Sequence, residues 1–230
     1  MSLLTRMISI VSALLFSAQL AAAGLGDLSN QETASGLKEA LARGADVAVS
    51  QLGRQDGFLG DSRVRIPLPD SLRAGEKMMR TLGMKKEADQ LIETMNRAAE
   101  SAVVEAKPIL LDAVRKMNFD DAKGILTGGD DAATQFFKRR TSAPIGEKFL
   151  PIVKRATAKL QLADQYNRYA GQAAKLGLVK EQDANIDSYV THKALDGLFL
   201  MIAEQERSIR KDPIGTGSKL LQNVFGALGR

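Results

Sequence analysis

A polar cluster with helical spacing is the first place where this chain could do chemistry. Glu93, Arg97 and Glu100 are four and three residues apart, so a helix would carry all three on one face. Asn96 falls beside the apolar stripe of the same helix, where a polar side chain needs partners. One interpretation is a site in which Arg97 and Asn96 face a cavity and hold a carboxylate or head group. The alternative, which we favour, is a surface ion-pair ladder plus a buried Asn whose hydrogen bonds are satisfied.

A second candidate is the turn that begins at Thr127 and reads T-G-G-D-D-A-A-T. Free backbone N–H groups at the start of the next helix could hold an anion, but Asp130 and Asp131 already occupy that positive end and would repel one. Their carboxylates could instead bind a divalent cation together with the backbone carbonyls of Thr127 or Gly128. We favour a glycine-permitted turn with an Asp cap.

The third candidate lies at the end of the most apolar segment. Glu206 continues the stripe of Phe199 and Ile202, so its carboxylate is expected to face packed neighbours and to need a cation such as Arg210. A ligand-binding or acid–base carboxylate with a raised pKa is one interpretation. A structural ion pair is the one we favour. Over the three clusters, the candidate ligand-binding residues are Glu93, Asn96, Arg97, Glu100, Asp130, Asp131, Glu204, Glu206 and Arg210.

The composition excludes most catalytic and cofactor chemistry. The chain has no Cys and a single His, His192, which excludes thiolate metal sites, a Cys nucleophile and nearly all multi-His metal sites. It contains no phosphate-binding loop, dinucleotide fingerprint, zinc-protease motif or nucleophile elbow. Few aromatic residues and no basic stripe between them give nucleic-acid binding no support. We predict no cofactor, no metal and no catalytic residues, with an enzymatic activity kept as an open alternative.

The first 23 residues have the organisation of an export signal. Arg6 precedes an apolar run from Met7 to Leu20, and the run ends in Ala21-Ala22-Ala23, a pattern that signal peptidase cleaves. The run is shorter than the roughly 20 residues of a membrane-spanning helix. Since no Cys follows the cleavage region, lipoprotein processing is excluded. We expect a periplasmic protein that begins at Gly24 and has no transmembrane segment.

Residues 24–230 are predicted to form a single all-α domain, a bundle of eight or nine helices with a short extended connector over 53–69. The segment 187–210 is expected to be the central helix, because it contains a run that is apolar on every side. The other expected helices are 30–52, 70–82, a long helix from Gly83 to Met117 kinked at Pro108, 119–126, one from Asp130 or Asp131 through Phe137, 142–160 with a kink at Pro151, 163–176 and 216–228.

Several motifs resemble those of one bacterial family. They are G-L-K-E-A-L near residue 36, D-G-F-L at Asp56, I-P-L-P at Ile66, M-N-R-A-A-E at Met95, I-L-T-G-G-D-D-A-A-T at Ile125 and Y-V-T-H-K-A-L-D-G-L-F at Tyr189. Over essentially its whole mature length the chain resembles the domain of unknown function 4197. The resemblance implies an exported, largely helical protein, in some relatives a lipoprotein, with no assigned activity and no catalytic residues to transfer.

The function that we predict from the sequence is binding rather than catalysis. Small residues along the Met95 stripe and two proline kinks would open space between the long helices for a small apolar or amphipathic ligand, or for an envelope partner. One alternative is an enzyme that uses Glu206 or Glu204 with Arg97 and Asp130. Another is a structural envelope protein whose last helix, 216–228, makes a weak contact with a membrane surface.

Overall fold

The computed structural model of the chain describes residues 30–70, 72, 85–177, 180 and 183–212. The predicted export signal and the predicted helix 216–228 lie outside these residues, as does most of the predicted helix 70–82. The structural statements that follow concern the described residues alone.

The described residues form seven helices and no strands, which confirms the all-α fold class. The number is lower than the eight or nine helices expected. One expected helix and most of another lie outside the described residues, and two of the expected boundaries are wrong. The helices are α1 (Asn30–Leu52), α2 (Lys85–Val103), α3 (Ala106–Arg115), α4 (Phe119–Thr127), α5 (Ala132–Thr157), α6 (Gln161–Lys175) and α7 (Ile186–Lys211).

The long helix expected to kink at Pro108 is two helices. A proline has no N–H to donate to the carbonyl four residues earlier, which here belongs to Val104, and its ring crowds that carbonyl. Helix α2 therefore ends at Val103, and α3 begins at Ala106. Pro108 then falls in the first turn of α3, where a missing N–H removes no bond of the helix.

The two helices expected on either side of Ser142 are one continuous helix, α5, with Pro144 and Pro151 inside it. Ser142 was expected to open a new helix. Its hydroxyl instead donates to the carbonyl of Lys138 at 2.7 Å, and the hydroxyl of Thr141 donates to Phe137 at 2.7 Å. Hydroxyls that bond back to the preceding turn are compatible with an uninterrupted helix, so no new helix begins at Ser142.

Helices α5 and α7 form the centre of the bundle. They pack against each other more extensively than any other pair, and both also contact α2. The run Leu198–Ala203 in α7 is buried at every position except Leu200, which confirms the expected central helix. One continuous core takes side chains from all seven helices and from the connector. The assignment of residues 24–230 to a single domain stays a prediction.

The connector, residues 53–69, is anchored in this core. Phe58, Val64, Ile66 and Leu68 are all buried, and the last three alternate along the chain. Phe58 lies directly against Gly197 of α7, where a Cβ atom would stand 2.7 Å from Phe58 Cε1. The absence of a side chain at Gly197 therefore makes the room for the buried ring.

Candidate functional site

Glu100 fastens the connector to α2 through a buried carboxylate. Its Oε1 atom accepts the backbone N–H groups of Phe58 and Leu59, both at 3.1 Å. Its Oε2 atom accepts Arg97 Nη1 at 2.8 Å. The residue is 5% exposed, so the carboxylate is stabilised by protein donors rather than by water.

Arg97 continues this network to Asp56 of the connector, whose Oδ1 atom lies 2.8 Å from Arg97 Nη2. The hydrogen bond to Glu100 is the largest cause that raises the pKa of Arg97 above its usual value. Asp56 has φ 63°, and at Gly57 a Cβ atom would stand 2.3 Å from the carbonyl oxygen of Leu52. The tight turn that presents Asp56 to Arg97 thus requires a glycine after it.

Asn96 completes the attachment. Its Oδ1 atom accepts the N–H of Ile66 at 2.8 Å, and its Nδ2 atom donates to the carbonyls of Ile66 at 2.9 Å and Ile92 at 2.8 Å. The side chain therefore pairs with the connector as a neighbouring strand would. We call the group formed by Asp56, Phe58, Ile66, Asn96, Arg97 and Glu100 the clasp.

Glu206 caps the start of α5 from α7. Its carboxylate accepts the N–H groups of Ala133 and Thr134, both at 2.9 Å, and the hydroxyl of Thr134 at 2.8 Å. Arg210 Nη2 lies 2.8 Å from Glu206 Oε1 and also donates to the carbonyl of Ile125 at 2.9 Å. We call this pair the Glu206 node. It binds N–H groups at the positive end of α5 and a carbonyl near the end of α4.

The other predicted site residues stand apart from these two groups. Glu204 pairs with Arg63 at 2.6 Å, and the hydrogen bond between Arg63 and Asp61 raises the pKa of Arg63. Glu93, Asp130 and Asp131 are exposed.

The expected Asp cap of α5 is wrong in its detail. Asp131 occupies the N-cap position, but its side chain accepts no backbone N–H there. It accepts Gln135 Nε2 at 2.9 Å, and Glu206 supplies the cap. Within the described ranges no three acidic or His side chains are grouped as metal ligands.

A hollow between α3, α4 and α5 contains none of the nine predicted residues. Its volume is about 590 Å³, and it is open to solvent. We call it the α3–α5 groove. Its lining includes Ile109, Asp112, Ala113 and Lys116 on one side, Phe136, Arg140, Pro144 and Lys148 on the other, and Asp121 of α4.

The groove has an apolar base and a charged rim. Phe136 is buried and Ile109 and Ala113 are partly buried, whereas Lys116, Arg140 and Lys148 are exposed on the rim. A second hollow of about 330 Å³ shares Asp121 and Phe136 with the groove. Apolar and ionic surfaces therefore meet over a continuous part of the bundle.

Ion pairs organise the rim. Asp112 lies 2.7 Å from Lys116 Nζ and 3.2 Å from Arg115 Nη2, and the hydrogen bond from Lys116 is the largest cause that lowers the pKa of Asp112. Arg140 lies with its guanidinium carbon 5.9 Å from the ring centroid of Phe136, a cation–π distance.

A family model described as a protein of unknown function, DUF4197, matches residues 27–226. The chain belongs to the DUF4197 family. No curated protein and no solved structure matches it.

In this DUF4197 protein four of the six motifs that suggested the family lie in the clasp or in the Glu206 node. D-G-F-L and I-P-L-P belong to the connector, and M-N-R-A-A-E supplies its three polar partners on α2. The clasp and the node hold chain segments together. Among the described residues, the groove combines space for a ligand with exposed charged side chains.

Sequence reasoning missed the groove residues of the DUF4197 chain. Phe136, Arg140, Pro144 and Lys148 recur every four residues, so they form one line on α5. That line was a detectable signal, but it was hidden because a helix boundary was placed in its middle.

In the described part of the chain, no helix has both the length and the apolar character needed to cross a bilayer.

Proposed function

We propose that this DUF4197 protein is an exported, non-enzymatic binding protein whose α3–α5 groove holds a small amphipathic ligand. The observation that carries the proposal is the open hollow of about 590 Å³ with an apolar base. Pockets for small ligands have volumes of about 300–1,000 Å³ and are lined mainly by apolar side chains with a few polar groups.

The distribution of polarity in the groove supports an amphipathic ligand. An alkyl or ring system would contact Ile109, Ala113 and Phe136 at the base. Its polar end would remain at the rim, where Lys116 and Arg140 are exposed to water. A wholly polar ligand would leave the apolar base unused, and a wholly apolar one would desolvate the charged rim.

The contacts of the charged residues proposed for an enzyme favour binding over catalysis. Glu206 accepts hydrogen bonds from α5 and Arg210, and Arg97 is held by Glu100 and Asp56. These groups maintain the fold in two separate contacts. Glu206 also borders a small hollow of about 10 Å³, which has room for one water molecule at most.

Export to the periplasm is part of the same proposal. It is supported by the predicted export signal in the first 23 residues and by the family resemblance. A binding protein for amphiphiles would there have access to the cell envelope.

Native mass spectrometry of protein purified from the periplasm tests the proposal. We expect a mass excess that disappears when the protein is denatured, because a groove ligand is held without covalent bonds. Ala113→Trp should remove the excess, since the indole would fill the groove at its base. Ala158→Trp is the matched control, because Ala158 is exposed and lies outside the groove.

A titration with decyl maltoside covers the case in which the ligand is lost during purification. We expect binding to the wild-type protein and to Ala158→Trp, and none to Ala113→Trp. A bare mass together with no binding of decyl maltoside, or equal binding by both tryptophan variants, would contradict the proposal.

A further inference from the structure

Positive charge is concentrated on the helix that forms one wall of the α3–α5 groove. Helix α5 carries six Lys or Arg residues and one acidic residue, Glu147, and all of these side chains are exposed. Its net charge of +5 equals that of the whole 230-residue chain. An anion near this side of the protein therefore meets an attractive potential.

Two of these cations stand on the groove itself. Arg140, Pro144 and Lys148 lie four residues apart, so both cations are on the face of α5 that lines the hollow. Phe136 continues this line at the base. A ligand lying along α5 would thus contact an aromatic ring and then two cations.

The acidic side chains of the groove already have cationic or N–H partners. Asp112 is paired with Lys116 and Arg115. Asp121 accepts the backbone N–H of Asn118 at 3.2 Å as part of the cap of α4. Asp112 has two cationic partners and Asp121 lies at the positive end of α4, so both carboxylates repel an incoming anion less than free ones would.

The two cations of α5 keep donors available. Arg140 Nη2 lies 3.6 Å from Asp121 Oδ1, which is longer than an ordinary hydrogen bond. Lys148 is exposed and forms no ion pair with the residues that the structure describes. The planar guanidinium and the ammonium can therefore both turn to a ligand without breaking a short contact.

We propose that the ligand of the α3–α5 groove is a single-chain amphiphile with an anionic head group: a carboxylate, sulfate or phosphate. This inference rests on the proposed function, because it specifies what the groove binds. Arg140 and Lys148 hold the head group, and the chain lies over the apolar base. The fork of donors on a guanidinium matches two oxygens of such a head group.

Three amphiphiles that share a decyl chain but differ in head-group charge distinguish the contribution of charge to the affinity from that of apolar contact. They are decyl sulfate, neutral decyl maltoside and cationic decyltrimethylammonium, each titrated into the full exported protein below its critical micelle concentration. We expect decyl sulfate to bind at least about tenfold more tightly than the other two, since two cations act on its head group at the edge of water. Inorganic sulfate at the same concentration should not displace it, because it lacks the chain.

A double variant tests whether the groove cations select the anion. Arg140→Gln with Lys148→Gln should bring the ratio of the affinities for decyl sulfate and decyl maltoside close to one, and a circular dichroism spectrum like that of the wild-type protein shows that the variant is folded. Lys154→Gln with Arg155→Gln is the matched control. It removes the same charge from α5 outside the groove and should retain the preference within about twofold.

The outcomes distinguish this inference from the proposed function. Equal affinity for the three amphiphiles would overturn the anionic head group and leave the groove as a binding site. Failure of all three to bind would overturn both. A preference lost equally in the two double variants would show that the overall charge of α5 attracts the anion, and would also overturn the inference.

Discussion

The clasp and the α3–α5 groove both combine polar and apolar side chains, but they differ in where the polar atoms find partners. In the clasp, Asn96 and Glu100 are buried and bind the backbone of the connector. In the groove, Arg140 and Lys148 extend into water beside an apolar base. In this fold, buried polar groups fasten segments of the chain together. Charge that remains hydrated next to an apolar surface is the charge that a ligand can use.

The Glu206 node, like the clasp, uses a buried polar side chain to hold separate segments of the chain together. Its carboxylate and guanidinium bind the backbone at Ile125, Ala133 and Thr134, all within the run I-L-T-G-G-D-D-A-A-T. This motif, one of those that resemble the family, is thus a junction between α4 and α5. The motifs of this chain describe how its parts are joined, which is consistent with a family whose motifs point to no activity.

The largest effect is expected from Glu206→Ala. The change leaves the buried N–H groups of Ala133 and Thr134 without their acceptor and removes the carboxylate partner of the partly buried Arg210. Breaking a buried charged contact costs about 3–5 kcal/mol, so the free energy of unfolding should fall by that amount. Urea denaturation followed by circular dichroism measures it.

Glu204→Ala, two residues earlier on α7, is the matched control for Glu206→Ala. Glu204 pairs with Arg63, whose side chain is 51% exposed, and exposed ion pairs add little to the free energy of unfolding. Similar losses of unfolding free energy in the two variants would contradict the view that buried polar contacts hold the fold together and exposed ion pairs do not.

Residue types along the chain predicted where helices begin and end better than they predicted whether a helix continues through a proline. The bounds of α1 agree with the prediction, and α4 begins at the expected residue, Phe119. The break before Pro108 and the unbroken helix α5 were not predicted, because packing against other helices decides whether a proline ends a helix.

The candidate site was harder to predict, since its contacts join distant parts of the chain. Glu100 reaches Phe58 across 42 residues, so no local pattern indicates that its partners are backbone N–H groups. The need for partners at Asn96 and Glu206 was predictable, and the favoured structural interpretation agrees with their contacts. The groove forms only where α3 and α5 meet, and neither helix shows it alone.

A smaller loss of unfolding free energy is expected at Gly197, which has no side chain and so leaves room for Phe58 of the clasp. Gly197→Ala would place a Cβ atom 2.7 Å from the buried ring of Phe58 and 3.3 Å from Val64 Cβ. Overpacking a core costs about 1–3 kcal/mol, which should lower the free energy of unfolding despite the better helix propensity of Ala.

Gly146→Ala in α5 is the matched control for Gly197→Ala. Its Cβ atom would meet Leu195 Cδ1 at 3.6 Å, an ordinary contact, so a gain of up to about 1 kcal/mol is expected. If Gly197→Ala proved as stable as Gly146→Ala, Phe58 would not be held as tightly as the clasp requires.

The smallest change in stability is expected on the groove rim, from Asp112→Asn. Asp112 is 42% exposed, so the free energy of unfolding at neutral pH should fall less than in Glu206→Ala or Gly197→Ala. Because pairing lowers the pKa of Asp112 in the folded protein, its contribution is complete above the unfolded value of about 3.9 and is lost as the pH falls through the folded value. Denaturation curves of the two proteins should therefore converge in acid.

The same variant should strengthen the binding of decyl sulfate, since it removes a negative charge from the rim and releases Lys116. Glu147→Gln is the control, because Glu147 is an exposed acid of α5 outside the groove. Titration of both variants measures the two affinities, and only Asp112→Asn is expected to gain, by about two- to fivefold. An equal gain in both would mean that anions respond to the net charge of the protein. The groove would then differ from the clasp in exposure alone, without selecting a ligand by its charge.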